Sequence, residues 1–381
     1  MANPEIIITS PEEERLRAEL EKRTDAEALR MKRFLAMPDL SRTEGSPIWE
    51  LVQRILAAPE FKGFDVIRVP EIVPVDVSFD LFDFPQNHPA RSKSDTYFLD
   101  DNHILRTHTT VMWYYYIKDS GVQKRMAAGE PVGCFSFGKV YRKDEIDRNH
   151  MNVFHQIDGW YLAPKNKKLI TAEDLQNALL SVARAAFGPV VKYRFNPDTF
   201  PYTDPSLEME IDKDGKWLEV LGSGVVKGSV LEKFGVDSTK WNGWAFGPGL
   251  ERLAIASMTL PDIRLLWSTD ERVKRQLKLG SKYKEVSKYP HITRDISFVV
   301  GADFVPNNYF DLIRDAGGDL VEEVSLLDKY ENSEKFGAGK VSYTYRIIYR
   351  SNERTLLAEE VASIQEKIIE ETKKQFAAEV R

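Results

Sequence analysis

Two stretches of this chain carry residue types whose spacing suits phosphate chemistry. The first is Gly138-Lys-Val-Tyr-Arg-Lys-Asp-Glu145, followed by Asp147, His150, Phe154, His155, Gln156 and Asp158. It reads as a strand ending in Arg142, a polar loop, and a second strand returning through Phe154. An arginine held at a strand end offers a planar fork that fits a phosphate or a carboxylate. A hairpin decorated with surface ion pairs has the same composition. The second stretch is Gly243-Trp-Ala-Phe-Gly-Pro-Gly-Leu-Glu-Arg252, running into Leu253-Ala-Ile-Ala256. Its glycines let a ligand or another backbone come close, and Pro248 is placed where proline suits a helix start. Arg252 then falls in the first turn, where the helix dipole disfavours a cation unless an anion sits opposite. That mismatch points to a phosphate ligand, with a tolerated surface arginine as the plainer explanation.

Two other patterns carry little. Gly222-Ser-Gly224-Val-Val-Lys-Gly228 has one residue too many for a dinucleotide fingerprint and lacks a βαβ context. The six histidines, at spacings such as 103/108 and 150/155, have no cysteine partners and form no metal-site pattern.

The elements that must position these stretches follow from periodicity. Residues 11–33 read as a short, charged surface helix and Pro47 starts a helix near 48–57, with Ile48, Leu51, Val52 and Ile55 on one face. Residues 64–75 form a strand with a proline-rich bend. Further strands are expected at Thr96–Leu99, Val132–Tyr141, Gln156–Leu162, Val191–Phe195, Leu207–Ile211 and Lys216–Leu221, and helices at 108–118, 172–186, 249–258 and 269–276. Consecutive strands favour an α+β domain around an antiparallel sheet. After a polar, basic linker the order becomes strand (293–300), helix (307–316), strand (320–329), strand (340–350), helix (357–375), which fits a ferredoxin-like sandwich with a last strand in the final residues. The expected boundaries are an N-terminal charged helical extension at 1–35, a first domain at 36–277, a linker at 278–286 and a second domain at 287–381.

Bulk composition sets the limits. With 381 residues, 42% hydrophobic and 29% charged, the chain has room for two or three domains of ~150 residues. No apolar run approaches the roughly 18 residues of a membrane span. Cys134 is the single cysteine, so no intrachain disulfide can form and a reducing compartment fits. Eight acids and five bases in the first 30 residues argue against a secretory or Arg-rich transit peptide. We therefore expect a cytoplasmic protein, with a mature organellar form as the alternative. The net charge of −6 is the wrong sign for coating nucleic acid, so RNA contact requires local basic patches.

Taken together, the two stretches resemble motifs 2 and 3 of class II aminoacyl-tRNA synthetases. Asn87-His-Pro-Ala-Arg91 with Asp95-Thr96, Arg106-Thr-His-Thr-Thr110, Phe154-His-Gln156, Phe200-Pro-Tyr202 with Asp204-Pro205, Trp217-Leu-Glu-Val-Leu-Gly222 and Pro261-Asp-Ile-Arg264 resemble phenylalanyl-tRNA synthetase α-type chains. Lys288-Tyr-Pro290, Arg294-Asp-Ile-Ser-Phe298, Gly317-Gly-Asp-Leu-Val-Glu322 and Glu353-Arg-Thr-Leu356 look like the ferredoxin-fold anticodon-binding domain of single-chain, organelle-type members.

The resemblance implies ATP-dependent attachment of L-phenylalanine to tRNA(Phe) through an adenylate, with Mg²⁺ and no protein nucleophile. It implies that Arg142 grips the α-phosphate, His150 faces the outer phosphates, Asp144 borders the ATP, Phe154 stacks on the adenine and Arg252 packs on its other face. Glu208 and Glu219 become the Mg²⁺-side acids. His108, Thr110, Gln156 and Asp158 hold the amino-acid ends, Phe200 and Tyr202 flank the substrate ring, and Ser223, Gly224 and Ala245 form the floor. Arg294, Arg346, Arg350 and Arg354 become the RNA contacts, with 13 Lys/Arg against 17 Asp/Glu in residues 287–381. A monomer with no obligate editing subunit and no membrane association is implied. Thr110, Trp113, Asp158, Tyr202 and Pro248 depart from the family pattern of serine, glutamine, glutamate, phenylalanine and an apolar residue, which leaves open a sister synthetase for another amino acid. A non-catalytic tRNA-binding relative is the other alternative.

Overall fold

The computed structural model of the chain describes residues 5–285 and 289–381. Residues 1–4 of the expected extension, Val286 of the expected linker, and Ser287 and Lys288 at the expected start of the second domain lie outside the described residues. By contact the chain divides into two compact units. One holds the residues up to Tyr141 with Val153–Leu260 and Leu277–Lys282; the other holds Arg142–Asn152, Pro261–Gln276 and Tyr283–Arg381.

In the first unit the strands are β1 (Ile6–Ile7), β2 (Asp65–Arg68), β3 (Ile72–Pro74), β4 (His103–Leu105), β5 (Val132–Tyr141), β6 (Val153–Pro164), β7 (Tyr193–Asp198), β8 (Thr203–Lys213), β9 (Lys216–Val226) and β10 (Trp241–Phe246). Eight of them form one sheet in the order β1-β2-β5-β6-β10-β9-β8-β7, and β3 pairs with β4 apart from it. Only β1–β2 and β2–β5 are parallel. The expected antiparallel α+β architecture is therefore present, with a small parallel edge. All ten residues of β5 are buried, as a strand covered on both faces requires.

The longer helices of this unit are α1 (Pro11–Lys22), α2 (Ala26–Ala36), α3 (Pro47–Leu56), α4 (Ala172–Phe187) and α5 (Leu250–Met258). The single helix expected over 11–33 is two. Ser10 caps the first, ahead of Pro11 and three glutamates, and Asp25 caps the second. Nor are they mere surface helices, since Leu16, Leu20, Ala28, Met31 and Phe34 pack with Ile72, Leu105, Tyr141 and Val153. Thr96–Leu99 is not a regular strand; Phe98 makes an isolated bridge to Ile104, flanked by backbone hydrogen bonds from Leu99 N–H to the His103 carbonyl and from Leu105 N–H to the Tyr97 carbonyl, both 2.9 Å. The helix expected over 108–118 splits into a 3-10 turn at Thr109–Val111 and a short helix at Met112–Tyr116. That expected over 269–276 shrinks to Glu271–Lys274.

A buried charge cluster joins these layers. Lys139 of β5 donates to the carbonyls of Leu35 and Met37 at 2.8 and 2.9 Å, capping the end of α2. Its ammonium lies 3.3 Å from Glu71, which also takes the Tyr141 hydroxyl at 2.5 Å and Arg17 at 2.7 Å. Arg106 donates to the carbonyls of Lys139 and Val69 at 2.8 and 2.9 Å. Burial alone would raise the Glu71 carboxyl, but the charges of Arg106, Lys139 and Arg17 and the Tyr141 hydroxyl outweigh it and hold it below its ordinary value.

The second unit is a four-stranded antiparallel sheet of β11 (Ile292–Gly301), β12 (Val321–Glu331), β13 (Lys340–Tyr349) and β14 (Glu379–Val380), ordered β12-β13-β11-β14. Helices α6 (Pro306–Gly317) and α7 (Ala358–Phe376) pack on it. Val341, Tyr343, Tyr345, Ile347 and Tyr349 are buried beneath them, as the alternation of β13 requires.

Because Glu71 is held below its unfolded value, its contribution is complete above that value and is lost as the pH falls through the folded one. Glu71→Gln is expected to lower the thermal midpoint at pH 7, with the gap from wild type closing below the ordinary carboxyl value of 4.5. Thermal unfolding across pH 3–7 checks this, and a constant gap would contradict it.

Candidate active site

Strand alternation builds the first half of the site. Phe154, Gln156 and Asp158 occupy every second position of β6 and share one face. The Asp158 carboxylate is 4% exposed, and both of its oxygens accept threonine hydroxyls, Thr109 on one and Thr110 at 2.7 Å on the other. Gln156 is also buried, and its side-chain oxygen has no partner among the described residues. Gly247 lies against Asp158 so closely that an added Cβ would stand 2.5 Å from the carboxylate. Thr109 and Gly247 were not expected here. The Thr-His-Thr-Thr run hinted at the former, but which hydroxyl faces the carboxylate depends on the 3-10 turn.

An aromatic wall stands beside this carboxylate. Trp113 and Trp160 stack at 4.5 Å and 3°, Tyr202 meets Trp113 edge-on at 6.2 Å, and Phe200 stacks with Tyr202 at 6.0 Å. Trp113, the unusual residue of the sequence, is thus wholly buried and paired with a second indole. His108 lies 3.0 Å from the Ser78 carbonyl through Nε2 and faces the rings of Phe82 and Phe84. Ala245 pairs across the sheet with Gly224, and Phe246 with Ser223, so the expected floor residues are neighbours in register. The Ser223 hydroxyl is spent on the Leu207 carbonyl at 3.0 Å. A Cβ on Gly222 would meet the Phe200 ring at 2.5 Å, which explains glycine there.

The glycine-proline stretch behaves differently from expectation. Helix α5 begins at Leu250 with Gly249 as its cap, so Pro248 does not start it. Instead residues 247–249 continue along β6: Gly249 bridges to Gln156, and the Pro248 carbonyl accepts the Ile157 N–H at 3.2 Å. Proline is tolerated because its carbonyl, not an N–H, is what β6 uses. Arg252 remains in the first turn, half exposed, with Nη1 3.4 Å from Glu219. Glu208 and Glu210 accept the Asn196 amide at 2.9 and 2.8 Å, and Glu219 lies opposite Glu210 in the β8–β9 register.

Arg142, Asp144 and His150 belong to the second unit. The loop 142–152 is gripped there by α6 and β12. Arg314 donates to the carbonyls of Asp144 and Glu145 at 3.1 and 2.5 Å, and Asn308 accepts from Lys143 at 3.2 Å. Arg148 pairs with Glu322 at 2.5 Å, and Ile146 is buried in the unit's core. His150 holds Asp147 through Nδ1 at 2.9 Å. Burial alone would raise Asp147, but this ring and the N–H groups of Asn149 and His150 keep it below the usual carboxylate range. Three of the four expected RNA-contacting arginines are ion-paired, Arg346 to Asp295 (2.7 Å), Arg350 to Glu322 (2.7 Å) and Arg354 to Glu360 (2.6 Å). Arg294 stands opposite Ile347 and so shares the helix-covered face, apart from Arg346.

Comparison with known proteins agrees with this geometry. Residues 35–277 match the family described as tRNA synthetases class II core domain (F), and residues 287–381 the ferredoxin-fold anticodon binding domain. The chain is 40% identical to the chloroplastic/mitochondrial phenylalanine–tRNA ligase of Arabidopsis thaliana, over 81% of this chain and 71% of that one. The chain belongs to the phenylalanine–tRNA ligase family. It is also 35% identical to a probable mitochondrial phenylalanine–tRNA ligase of Drosophila melanogaster (85% of this chain, 80% of that one). To the mitochondrial enzyme of Mus musculus it is 33% identical, over 85% and 79%. These relatives correct the expectation of a cytoplasmic protein, since their compartments point to an organelle matrix. The acidic composition behind that expectation belongs to α1 and α2, folded parts of the catalytic unit, and so carries no information on address. Among the described residues no helix is long and apolar enough to cross a membrane.

Replacing Gly247 with Ala should displace the Asp158 carboxylate and raise KM for the amino acid by about tenfold or more. Steady-state pyrophosphate exchange measures this; an unchanged KM would remove Asp158 from the amino-acid site.

Proposed function

We propose a division of labour among these residues for the family's reaction. The chain is a class II phenylalanine–tRNA ligase whose substrates are L-phenylalanine, ATP and tRNA(Phe). The phenylalanine carboxylate attacks the α-phosphorus of ATP, forming phenylalanyl-adenylate and releasing pyrophosphate. A terminal ribose hydroxyl of the tRNA then attacks the acyl carbon, and AMP leaves.

The observation that carries the assignment is the shared face of β6, where Phe154, Gln156 and Asp158 follow one another. Asp158, oriented by Thr109 and Thr110, receives the substrate ammonium, a match of buried carboxylate and cation that a low-dielectric site strengthens. Gln156 offers its buried side-chain oxygen to the same group. Thus the shorter acid, Asp for the usual Glu, is supported by hydroxyls rather than stranded. Phe200 and Tyr202 face the substrate ring, with His108 beside them and Ala245, Ser223 and Gly224 below.

Phe154 and Arg252 hold the adenine, and Arg252 meets the charge that develops on the phosphates; Arg142 and His150 are assigned to the phosphates by the family resemblance alone. Asp144 lies at the edge of the nucleotide. Glu208 and Glu219 are oxygen donors of the kind Mg²⁺ takes, one or two carboxylates alongside phosphate oxygens, and the ion would supply charge neutralisation there. Arg346, Arg350 and Arg354 exchange their carboxylate partners for RNA phosphates. The chain acts as a monomer without an editing subunit.

Amino-acid-dependent ATP–pyrophosphate exchange across the twenty standard amino acids tests this reading. Phenylalanine should dominate with tyrosine detectable but about 100-fold weaker, the discrimination that an apolar pocket gives against one added hydroxyl. A different preferred amino acid would overturn the pocket. In the same assay Ala245→Gly should admit para-substituted phenylalanines, and unchanged selectivity would remove Ala245 from the floor.

A further inference from the structure

His155 sits between two residues of the proposed site and does not share their face. It is fully buried, on the opposite side of β6 from Phe154 and Gln156. There it meets Glu251, the residue before Arg252, which is 3% exposed. Imidazole Nδ1 lies 2.6 Å from Glu251 Oε1, and the His155 backbone N–H donates to Oε2 at 2.8 Å. The Leu40 N–H donates to Nε2 at 3.0 Å, so Nε2 is the acceptor and Nδ1 carries the hydrogen toward the carboxylate. Asp39 Oδ1 is 3.4 Å from Nε2 but is taken by the Ser41 N–H at 3.0 Å.

We propose that His155 and Glu251 form a positioning pair that fixes the first turn of α5, and with it Arg252, to the Phe154–Gln156 segment of β6. The inference rests on the reading that Phe154 and Arg252 hold the nucleotide. Both oxygens of Glu251 go to a single residue, one to its side chain and one to its backbone. That fixes the helix end against both rotation and sliding, while the Gln156–Gly249 bridge fixes the backbone between them. Turning α5 would move Arg252 relative to Phe154, while β6 stays in register between β5 and β10. The chemistry demands a carboxylate. Both groups facing Glu251 are donors, and an amide would present one acceptor oxygen and one clashing NH₂. His155 is matched as narrowly, since its second nitrogen must accept from Leu40.

A plain stabilising role would show in folding alone, so the test separates the two. Glu251→Gln and the double variant His155→Leu/Glu251→Met are compared with wild type by thermal unfolding and by pyrophosphate exchange. The double variant removes both members of the pair while keeping volume, so no buried charge is left unpaired. In both, kcat/KM for ATP should fall by on the order of 10- to 100-fold, with KM for ATP rising and KM for phenylalanine changing far less. The double variant leaves the Leu40 and His155 N–H groups without acceptors, so its thermal midpoint should fall, and its ATP parameters are read at a temperature where it is still folded. Wild-type ATP parameters in the folded double variant would overturn the proposal. Arg252→Ala is the control: if it leaves the ATP parameters untouched, the nucleotide reading itself has failed; if it abolishes them while the pair variants do not, only the positioning role has.

Discussion

The buried cluster of Arg106, Lys139 and Glu71 is the constraint on which the catalytic unit depends. Three charges in the interior are tolerable only when every donor and acceptor is matched. Lys139 meets that demand by capping α2, Arg106 by gathering the carbonyls of Val69 and Lys139, and Glu71 by accepting Tyr141 and Arg17. The N-terminal helices, the bend at Pro70 and the end of β5 are thereby locked into one arrangement. Arg106 also opens the segment that bears His108, Thr109 and Thr110. Fixing its guanidinium therefore fixes the hydroxyls that orient Asp158, and a folding constraint becomes a recognition constraint.

On the proposed function, recognition follows from the pleat of β6. One face carries an aromatic, an amide and a carboxylate toward the ligand side; the other carries His155 toward the helices. The departures from the family pattern fit this scheme together. Asp158 is short but braced by two threonine hydroxyls, Trp113 stacks on Trp160, and Tyr202 closes the wall edge-on. Asp158 is compensated by its hydroxyl partners, whereas the Trp113 indole N–H is buried with no hydrogen-bond partner among the described residues.

The sequence made the antiparallel core legible where the signal was local. β5, with ten buried residues, and the alternating face of β13 need no distant information. The motif residues of β6 and the first turn of α5 were equally readable. What escaped was non-local. The glycines of Gly243–Arg252 left open whether a ligand or another backbone comes close, and at Gly243 it is the Tyr161 backbone carbonyl, 2.1 Å from where a Cβ would stand. Pro248 looked like a helix start and instead lends its carbonyl to Ile157. Residues 11–33 read as a charged surface helix because the apolar residues among them, Leu16, Leu20, Ala28 and Met31, reveal their packing only once a partner is in place. Loop 142–152 read as part of the catalytic domain, but its contacts group it with the terminal unit through Ile146 and Arg314. The His155–Glu251 contact joins residues 96 apart in sequence, beyond any pattern in composition.

On the proposed function, one face of β6 reads the amino acid through Gln156 and Asp158 and the nucleotide through Phe154. A crystal structure with a non-hydrolysable phenylalanyl-adenylate analogue would show this. The ammonium is expected on Asp158 and Gln156, the phenyl ring between Phe200, Tyr202 and Ala245, and the adenine at Phe154 and Arg252. An ammonium held elsewhere, with Asp158 still occupied only by Thr109 and Thr110, would contradict it.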